Sequence, residues 1–233
     1  RAQYGRIMNM NEITAVIVGR SGSKRIPNKV IKSFSNTTLL ELKIEQLQAC
    51  GMVDRIIVGS DGDDILNIAK RAGAETVVRP DYFCDETKAS ANEMIGNMCS
   101  LIKTDIVVWA HCTNPLLSPN EYSEAIKTFL EKEKEGYDSL LSVDEVREHM
   151  WGEDKTPLNY NPYGKRHPLA KELPATYKQN GGIFIQRHED MKNNSYFFGD
   201  RPYLHITPPE LSIDINVMND FLVAQYLHRG EKK

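Results

Sequence analysis

A turn rich in glycine, serine and basic residues follows the first apolar run of the chain, and these residue types suit the binding of a phosphate. Residues 14–18 form the apolar run, which is typical of a buried strand, and residues 19–29 contain four basic side chains. Glycine lets backbone amides approach a ligand, serine hydroxyls donate hydrogen bonds, and cations neutralise phosphate charge. In α/β sheets, phosphates commonly bind at the carboxyl end of the first strand. The predicted phosphate-binding residues are Gly19, Arg20, Ser21, Gly22, Ser23, Lys24 and Lys29.

The turn does not follow two familiar phosphate-binding patterns. A Walker loop closes with glycine, lysine and serine or threonine, whereas the order here is Gly22-Ser23-Lys24-Arg25. The dinucleotide fingerprint needs three glycines in a fixed frame, and this turn contains two. A solvated basic turn without a ligand is the alternative interpretation of these residues.

The stretch from Arg20 to Lys29 resembles the signature loop of the acylneuraminate cytidylyltransferases, whose usual form is Ala-Arg-Gly-Gly-Ser-Lys-Arg-Ile-Pro-x-Lys-Asn. The chain differs from that form at Gly19, Ser21 and Val30. The resemblance implies that the loop holds the triphosphate of CTP. It also implies catalytic roles for Arg20 and Lys24, which would take the charge that builds on the leaving pyrophosphate.

A second segment resembles the part of these enzymes that closes over the base and the ribose. It consists of Arg79-Pro80, followed by Thr87 and Ser90. The resemblance implies nucleotide-binding roles for Arg79 and Ser90. The alternative is a turn at the end of a strand, in which Thr87 caps a helix.

Two further segments resemble the sugar-binding elements of the family. Residues 110–116 are similar to Leu-Gln-Pro-Thr-Ser-Pro-Leu, with His111 in place of the glutamine that is associated with binding of the sugar acid. Residues 177–185 are similar to Tyr-x-x-Asn-Gly-Ala-Ile-Tyr-Ile. Basic residues just before the second segment could grip a carboxylate, and a solvated basic loop is the alternative. The implied sugar-binding residues are His111, Thr113, Asn114, Lys165, Arg166, Lys171, Tyr177 and Asn180.

The last matching segment, Ser212-Ile213-Asp214-Ile215-Asn216, stands where the family has Asp-x-Asp. Alternate residues of a strand point to the same side, so two carboxylates at this spacing can share Mg²⁺, which prefers oxygen ligands. The resemblance implies a catalytic and metal-binding role for Asp214. Asn216 is the second predicted metal ligand, although its amide oxygen is weaker and neutral. The alternative is that one of the two residues caps the last helix.

Together, these segments predict an enzyme that transfers CMP from CTP to a nine-carbon, sialic-type 2-keto-3-deoxy sugar acid and releases pyrophosphate. The resemblance implies Mg²⁺ or another divalent cation as cofactor, and a CMP-sugar product that serves the synthesis of cell-surface glycans. One alternative is a cytidylyltransferase for an eight-carbon acid such as 3-deoxy-manno-octulosonate. Another is a nucleotide-binding homologue without turnover. The sequence does not distinguish among the nine-carbon acids.

Composition excludes several other classes of protein. The chain of 233 residues is 40% hydrophobic and 26% charged, which is ordinary for a soluble globular protein. No apolar run approaches the ~20 residues that span a bilayer. The net charge of −3 does not indicate the excess of basic residues that is typical of nucleic-acid-binding proteins. The four cysteines form no Cys-x-x-Cys pair, which argues against a zinc site or a disulfide scaffold. We therefore expect a cytoplasmic protein that binds neither nucleic acid nor a membrane.

Strands and helices alternate along the chain. Apolar runs predict strands at 14–18, 55–60, 75–78, 105–110, 139–143, 180–185 and 203–207. Helical spacing predicts helices at 39–50, 63–71, 88–102, 120–135 and 217–227, with Asp61 as the N-cap of the second. This alternation predicts an α/β fold with a mostly parallel central sheet flanked by helices. The family resemblance implies the Rossmann-like nucleotidyltransferase version of that fold.

One long stretch, residues 147–179, breaks the alternation and contains four prolines. A loop of this length without secondary structure is uncommon in a compact domain and is usually functional. We expect a single domain over residues 11–233, in which 147–179 is an inserted lid or protruding dimerisation arm. We further expect a homodimer whose arms complete each other's sites, and a flexible lead-in at residues 1–10.

Overall fold

A central sheet organises the computed structural model, which describes residues 11–23 and 25–230. In this part of the chain the strands are β1 (Ile13–Val18), β2 (Ser33–Phe34), β3 (Thr37–Thr38), β4 (Arg55–Ser60), β5 (Glu75–Val78), β6 (Ile106–Ala110), β7 (Ser139–Val146), β8 (Thr176–Arg187) and β9 (Pro202–Ile206). Strands β2 and β3 pair as a small ribbon, and the other seven form one sheet in the order β5-β4-β1-β6-β8-β7-β9. The predicted lead-in at 1–10, Lys24 and residues 231–233 lie outside the described residues.

Helices cover both faces of this sheet. They are α1 (Leu39–Ala49), α2 (Asp63–Arg71), α3 (Asp81–Cys84), α4 (Ala91–Ser100), α5 (Pro119–Lys132), α6 (His188–Asn194) and α7 (Met218–Gly230). Side chains of successive strand residues point to opposite faces, so a strand covered on both faces is apolar throughout. In β1, for example, Ala15 and Ile17 belong to the core that α1, α2, α5 and α7 cover. Val16 belongs to the opposite core, which α4 and α6 cover.

The strand directions confirm the predicted fold class. Strands β1, β4, β5 and β6 pair in parallel, and β7 pairs in parallel with β9. Strand β8 runs antiparallel to both β6 and β7. The carboxyl ends of the parallel strands therefore lie at one edge of the sheet, and the amino end of β8 lies at the same edge. The residues predicted to bind ligands follow β1, β5 and β6 or lie near the start of β8, so the topology gathers them at this edge.

Several predicted boundaries differ from the structure. The helix predicted at 88–102 is α4, which begins at Ala91, and the region before it contains the short helix α3. The stretch 147–179 ends earlier than predicted, because β8 already begins at Thr176. The rest of this stretch is mainly turns, with an isolated bridge between Trp151 and Pro157 and a 3-10 turn at Ala170–Glu172. Its identity as an arm, and the single-domain boundary at 11–233, stay predictions.

Candidate active site

The basic turn after β1 is fixed against the end of β4. The backbone amide of Gly19 donates to the carbonyl of Gly59 over 3.0 Å. The amide and the hydroxyl of Ser21 donate to the two carboxylate oxygens of Asp61 over 2.9 and 2.8 Å. Gly22 has a φ of +78°, which favours glycine because other residues are strained there. Both donors of Ser21 thus hold the turn in place, with the hydroxyl aimed at Asp61.

Asp61 does not cap the second predicted helix, and this prediction was wrong. The N-cap of α2 is Gly62, and no side chain makes a capping hydrogen bond there. The Asp61 carboxylate instead binds Ser21, forty residues earlier in the chain. Asp61 therefore positions the turn, a role that local sequence rules do not show.

The turn lines a cleft of about 410 Å³. Its three described cations, Arg20, Arg25 and Lys29, are each held by a partner. Arg20 forms an ion pair with Glu86 over 2.8 Å, and Arg25 and Lys29 bind the segment that contains Asp214. The predicted ligand-binding residues that line this cleft are Gly19, Arg20, Ser23, Lys29, Arg79, Ser90 and Thr113.

Arg25 and Lys29 join the turn to residues 214–216. The Lys29 ammonium donates to the carbonyl of Ile215 over 2.8 Å, and Arg25 Nη1 donates to Asn216 Oδ1 over 3.2 Å. Burial and the charge of Arg25 lower the pKa of Lys29, while the charge of Asp214 raises it. The turn and the predicted metal site are thus neighbours, although nearly two hundred residues separate them in sequence.

Asp214 and Asn216 lie side by side but are not arranged as a metal-binding pair. Asn216 Nδ2 donates to Asp214 Oδ2 over 2.7 Å, while Asn216 Oδ1 faces Arg25. The amide oxygen that would bind a cation is therefore turned away from the Asp214 carboxylate. In the described residues, no group of three or more His, Cys, Asp or Glu side chains could hold a metal ion. A single carboxylate such as that of Asp214 would hold Mg²⁺ only together with other oxygen ligands, such as the phosphates of a bound substrate.

The cap of the last helix is neither Asp214 nor Asn216. Asp220 Oδ2 accepts hydrogen bonds from the backbone amides of Asn216 and Val217, each over 2.8 Å, at the start of α7. These bonds lower the pKa of Asp220. The capping alternative for Asp214 and Asn216 was therefore wrong, and Asp214 has no helix-capping task.

Arg79 and Ser90 line the cleft, and both also have structural partners. Arg79 is 2% exposed, and its Nη2 donates to the carbonyl of Phe83 over 2.9 Å. It packs over β4 at Gly59, where a Cβ would lie 2.7 Å from the Arg79 side chain. Ser90 is the N-cap of α4, and its hydroxyl accepts from the backbone amide of Glu93. The alternative with Thr87 as helix cap was wrong, since Thr87 donates to Asp85 instead.

His111 is oriented by the glycine turn within β8. Its Nδ1 lies 2.6 Å from the carbonyl oxygen of Gly181, which can only accept, so Nδ1 carries the proton. Desolvation lowers the pKa of His111, so the imidazole is neutral at pH 7 and Nε2 is a hydrogen-bond acceptor. Gly181 has a φ of +73°, which explains the glycine at this position. His111 therefore offers a hydrogen-bond acceptor and not a charge.

Asn114 and Asn180 are bonded to other parts of the chain, and Asn180 also lines the second cleft described below. Asn180 Oδ1 accepts from Ser142 over 2.6 Å and from the amide of Gly182 over 3.1 Å. Asn180 Nδ2 donates to Asp144 over 2.8 Å and to Thr207 over 2.9 Å, so its amide group is fully used. Asn114 is 1% exposed and donates to the carbonyl of Asn180 over 3.1 Å. These two residues join the 111–116 loop to β8.

A second cleft, of about 480 Å³, is lined by Asp214 and Asn216, whereas Arg25 and Lys29, which bind residues 216 and 215, line the first cleft. Asp214 lines this second cleft and not the first, so the segment forms the border between the two. The polar residues that line it are Asp144, Lys178, Gln179, Asn180, Glu210, Ser212, Asp214, Asn216 and Asp220.

The predicted cations of the 147–179 stretch are not gathered at either cleft. Lys165, Arg166, Lys171 and Tyr177 line neither the first nor the second cleft. Arg166 forms an ion pair of 2.6 Å with Glu172 of the same stretch. All four are exposed. Any contact of these residues with a ligand would need movement of the stretch or a second molecule.

Two further properties concern the described part of the chain as a whole. All four cysteines, Cys50, Cys84, Cys99 and Cys112, are free and buried. No helix within the described ranges has both the length and the apolar character that a membrane crossing needs.

Comparison with known families gives a match over most of the chain. Residues 14–211 match the family described as cytidylyltransferase. The N-acylneuraminate cytidylyltransferase B of Danio rerio is 26% identical over 216 residues, which are 91% of this chain and 50% of that protein. The pseudaminic acid cytidylyltransferase of Campylobacter jejuni is 22% identical and covers 92% of this chain and 95% of its own length. The N-acylneuraminate cytidylyltransferase of Escherichia coli is 29% identical over 91% of this chain and 51% of its own length.

The chain thus spans about half the length of several curated relatives that it matches. A solved structure of CMP:2-keto-3-deoxy-manno-octonic acid synthetase complexed with CTP superposes with a TM-score of 0.68. It covers 95% of this chain and 100% of its own, at 12% identity. The 4-diphosphocytidyl-2C-methyl-D-erythritol synthase of Anaerococcus prevotii superposes with a TM-score of 0.66, at 11% identity over 94% of this chain and 99% of its own.

Proposed function

Because the chain belongs to the cytidylyltransferase family, we propose that it transfers CMP from CTP to a nonulosonic, sialic-type sugar acid and releases pyrophosphate. The observation that carries this proposal is the link between the basic turn and the Asp214 segment through Lys29 and Arg25. It joins a set of cations suited to a triphosphate with a carboxylate suited to a metal. The names of the curated relatives, which concern N-acylneuraminate and pseudaminic acid, support the choice of acid class.

In the proposed reaction, the anomeric hydroxyl oxygen of the acid attacks the α-phosphorus of CTP. The bond from that phosphorus to the bridging oxygen breaks, pyrophosphate leaves with the bonding electrons, and the hydroxyl proton passes to water. Positioning and charge neutralisation supply most of the acceleration in such transfers. Arg20, Arg25 and Lys29 are placed to balance the charge that grows on the leaving group. Lys24 belongs to the same turn, and its role stays a prediction.

A divalent cation held by Asp214 and the phosphates would act as a Lewis acid on the phosphoryl oxygens. The base would lie in the first cleft, whose apolar residues Phe83, Ala89 and Met94 suit a flat ring. The acid would lie beside the 111–116 loop, of which Thr113 lines the first cleft and His111 lines neither cleft, and would extend toward the second cleft. In this arrangement Asn114 and Asn180 support the acid site by joining the 111–116 loop to β8.

Pyrophosphate release tests the proposal. The chain is incubated with CTP and a panel of nine-carbon and eight-carbon 2-keto-3-deoxy acids, with and without Mg²⁺. We expect release with at least one nine-carbon acid. Release with the eight-carbon acid alone would indicate the octulosonate alternative, and CTP binding without any release would indicate a homologue without turnover.

The orientation of Asn216 leads to a prediction about metal dependence. Asn216→Asp would place a second carboxylate beside Asp214, and two carboxylates bind Mg²⁺ more tightly than one. We expect the Mg²⁺ concentration for half-maximal turnover to fall several-fold. Asn219→Asp adds the same charge on the exposed first turn of α7 and is the matched control. An unchanged Mg²⁺ dependence in Asn216→Asp would contradict a metal at Asp214.

We also propose that the 147–179 stretch mediates a homodimer. It exposes large apolar side chains: Trp151 is 54% exposed, Leu158 66% and Tyr163 92%. Three large apolar side chains exposed within one stretch are candidates for an interaction surface. We expect the wild type to elute as a dimer in light-scattering chromatography and the double variant Leu158→Ser, Tyr163→Ser to elute as a monomer. Tyr226→Ser, at a similarly exposed tyrosine on α7, should stay dimeric. A monomeric wild type would contradict the proposal.

A further inference from the structure

A lysine without a charged partner lies beneath the 111–116 loop. Lys43 of α1 is fully buried, and its Nζ lies 2.9 Å from the carbonyl oxygen of Asn114 and 2.7 Å from the hydroxyl of Tyr122. Over residues 11–23 and 25–230, no aspartate or glutamate forms an ion pair with Lys43. Lysine is almost never fully buried unless it is paired. Its position therefore requires an explanation other than stability.

A second side chain of the same helix holds the same loop. Gln46 lies one turn after Lys43, on the same face of α1. Its Nε2 donates to the carbonyl of Pro115 over 2.7 Å. Two side chains of α1 thus donate to two consecutive carbonyl groups of the loop, those of Asn114 and Pro115. The Asn114 side chain in turn donates to the carbonyl of Asn180 in β8. Two further contacts hold the loop, from His111 Nδ1 to the carbonyl of Gly181 and from the amide of Ile215 to the carbonyl of Thr113. Of these five contacts of the loop, the two to the Asn114 and Pro115 carbonyls depend on α1.

We propose that Lys43 is a positioning residue for the acid-binding loop: its hydrogen bond to the Asn114 carbonyl sets the positions of His111 and Thr113 at the acid site. This inference rests on the proposed function, in which the loop contacts the acid. An apolar side chain of similar length would pack in the same space and avoid the burial of an amine. The lysine is explained if the loop needs an anchor at this carbonyl.

The charge state of the anchor changes near neutral pH. Burial lowers the pKa of Lys43 to about 7. The titratable groups that face it are Tyr122 from α5 and Cys112 and His111 from the loop. Burial raises the pKa of Cys112 to about 12 and that of Tyr122 well above its usual value, so both stay protonated near pH 7. An ammonium group in this dry site would attract the carboxylate of the acid more strongly than a neutral amine does. We therefore expect the KM for the acid to rise several-fold between pH 6 and pH 8.

Lys43→Met tests the inference, because methionine keeps the length and apolar packing of the side chain and removes the amine. We expect the KM for the acid to rise on the order of tenfold or more, with the affinity for CTP unchanged. We also expect the rise of KM between pH 6 and pH 8 to disappear. Lys127→Met, at an exposed lysine of α5, should match the wild type in both respects.

Stability gives a second readout that does not need turnover. A lysine with a folded pKa of about 7 and an unfolded value of 10.5 penalises folding fully below pH 7. The penalty decreases as the pH rises from 7 to 10.5, because the folded state then loses its proton first. We expect the Tm of the wild type, measured relative to that of Lys43→Met, to increase as the pH rises from 7 to 10.5.

Each outcome decides the question. If the wild type is active and Lys43→Met has the same KM for the acid and the same pH profile, the inference is overturned. If Lys43→Met does not fold, Tyr122→Phe replaces it, because it removes a hydrogen-bond partner of Lys43. A raised KM with unchanged CTP affinity supports the inference, and an unchanged KM overturns it. If the wild type releases no pyrophosphate with any acid, the proposed function fails and the inference fails with it.

Discussion

Asp214→Asn is expected to reduce the formation of the CMP-sugar by about a hundredfold or more while the fold is retained. The substitution removes the carboxylate charge at the border between the two clefts and keeps the size of the side chain. The only side chain bonded to Asp214 in the described residues is that of Asn216, so little structural support is lost. The measurement is pyrophosphate release with CTP and the acid, together with thermal unfolding.

Asp220→Asn is the matched control for this variant. Asp220 lines the same cleft, but its carboxylate accepts from two backbone amides at the start of α7. We expect Asp220→Asn to lower the Tm and to retain most of the turnover at temperatures where it is folded. Equal losses of turnover in both variants, with equal losses of Tm, would show that Asp214 is structural.

Lys29→Met should have the second large effect. Its ammonium lies in the first cleft and donates to the carbonyl of Ile215. The substitution therefore removes a cation suited to bind phosphate, and it also removes the bond between the basic turn and residues 214–216. We expect the affinity for CTP and the turnover to fall by about a hundredfold together. Binding of CMP, which lacks the β- and γ-phosphates, should change much less. Titration calorimetry with CTP and CMP measures this difference.

The control for Lys29→Met is Lys127→Met, which removes a cation from the exposed face of α5. It should bind both nucleotides as the wild type does. If Lys29→Met lost CTP and CMP affinity by the same factor, the lysine would not contact the terminal phosphates. If it bound CTP normally, the turn would not be the triphosphate site.

The fold class was readable from the sequence because most strands of the sheet are covered on both faces. A strand such as β6 is then apolar at every residue, and runs of this kind are visible without an alignment. The direction of β8 was not readable, since an apolar run has the same composition in either direction. The start of β8 was missed because residues 177–179 are exposed and polar. Helix α6 was missed because it is short and buries only His188 and Met191.

The candidate site was readable in part, as far as local motifs reach. The cations and glycines of the turn stand together in the sequence, and Arg79, Ser90 and Thr113 do line the cleft beside them. The role of Asp61 depends on a contact with Ser21 across two strands, and no local pattern shows such a contact. The internal roles of Asn114 and Asn180 were missed for the same reason. The residue type alone does not show whether an asparagine binds a ligand or joins two segments of the chain.

Lys43 is another residue whose role no local pattern of the sequence reveals. It occupies a position of α1 that helical spacing places among apolar residues, and no motif of the sequence includes it. Only the structure shows that its amine lies beneath the loop and bonds the Asn114 carbonyl. A charged residue on the buried face of an amphipathic helix is the signal that could have found it.

A crystal structure of the chain with CTP tests the central claim most directly. We expect the triphosphate to contact the backbone amides and cations of residues 19–29, with the base between Arg79 and Met94 and the Asp214 carboxylate facing the α-phosphate. A triphosphate bound elsewhere, or one that leaves Lys29 and the turn without any phosphate contact, would contradict the claim.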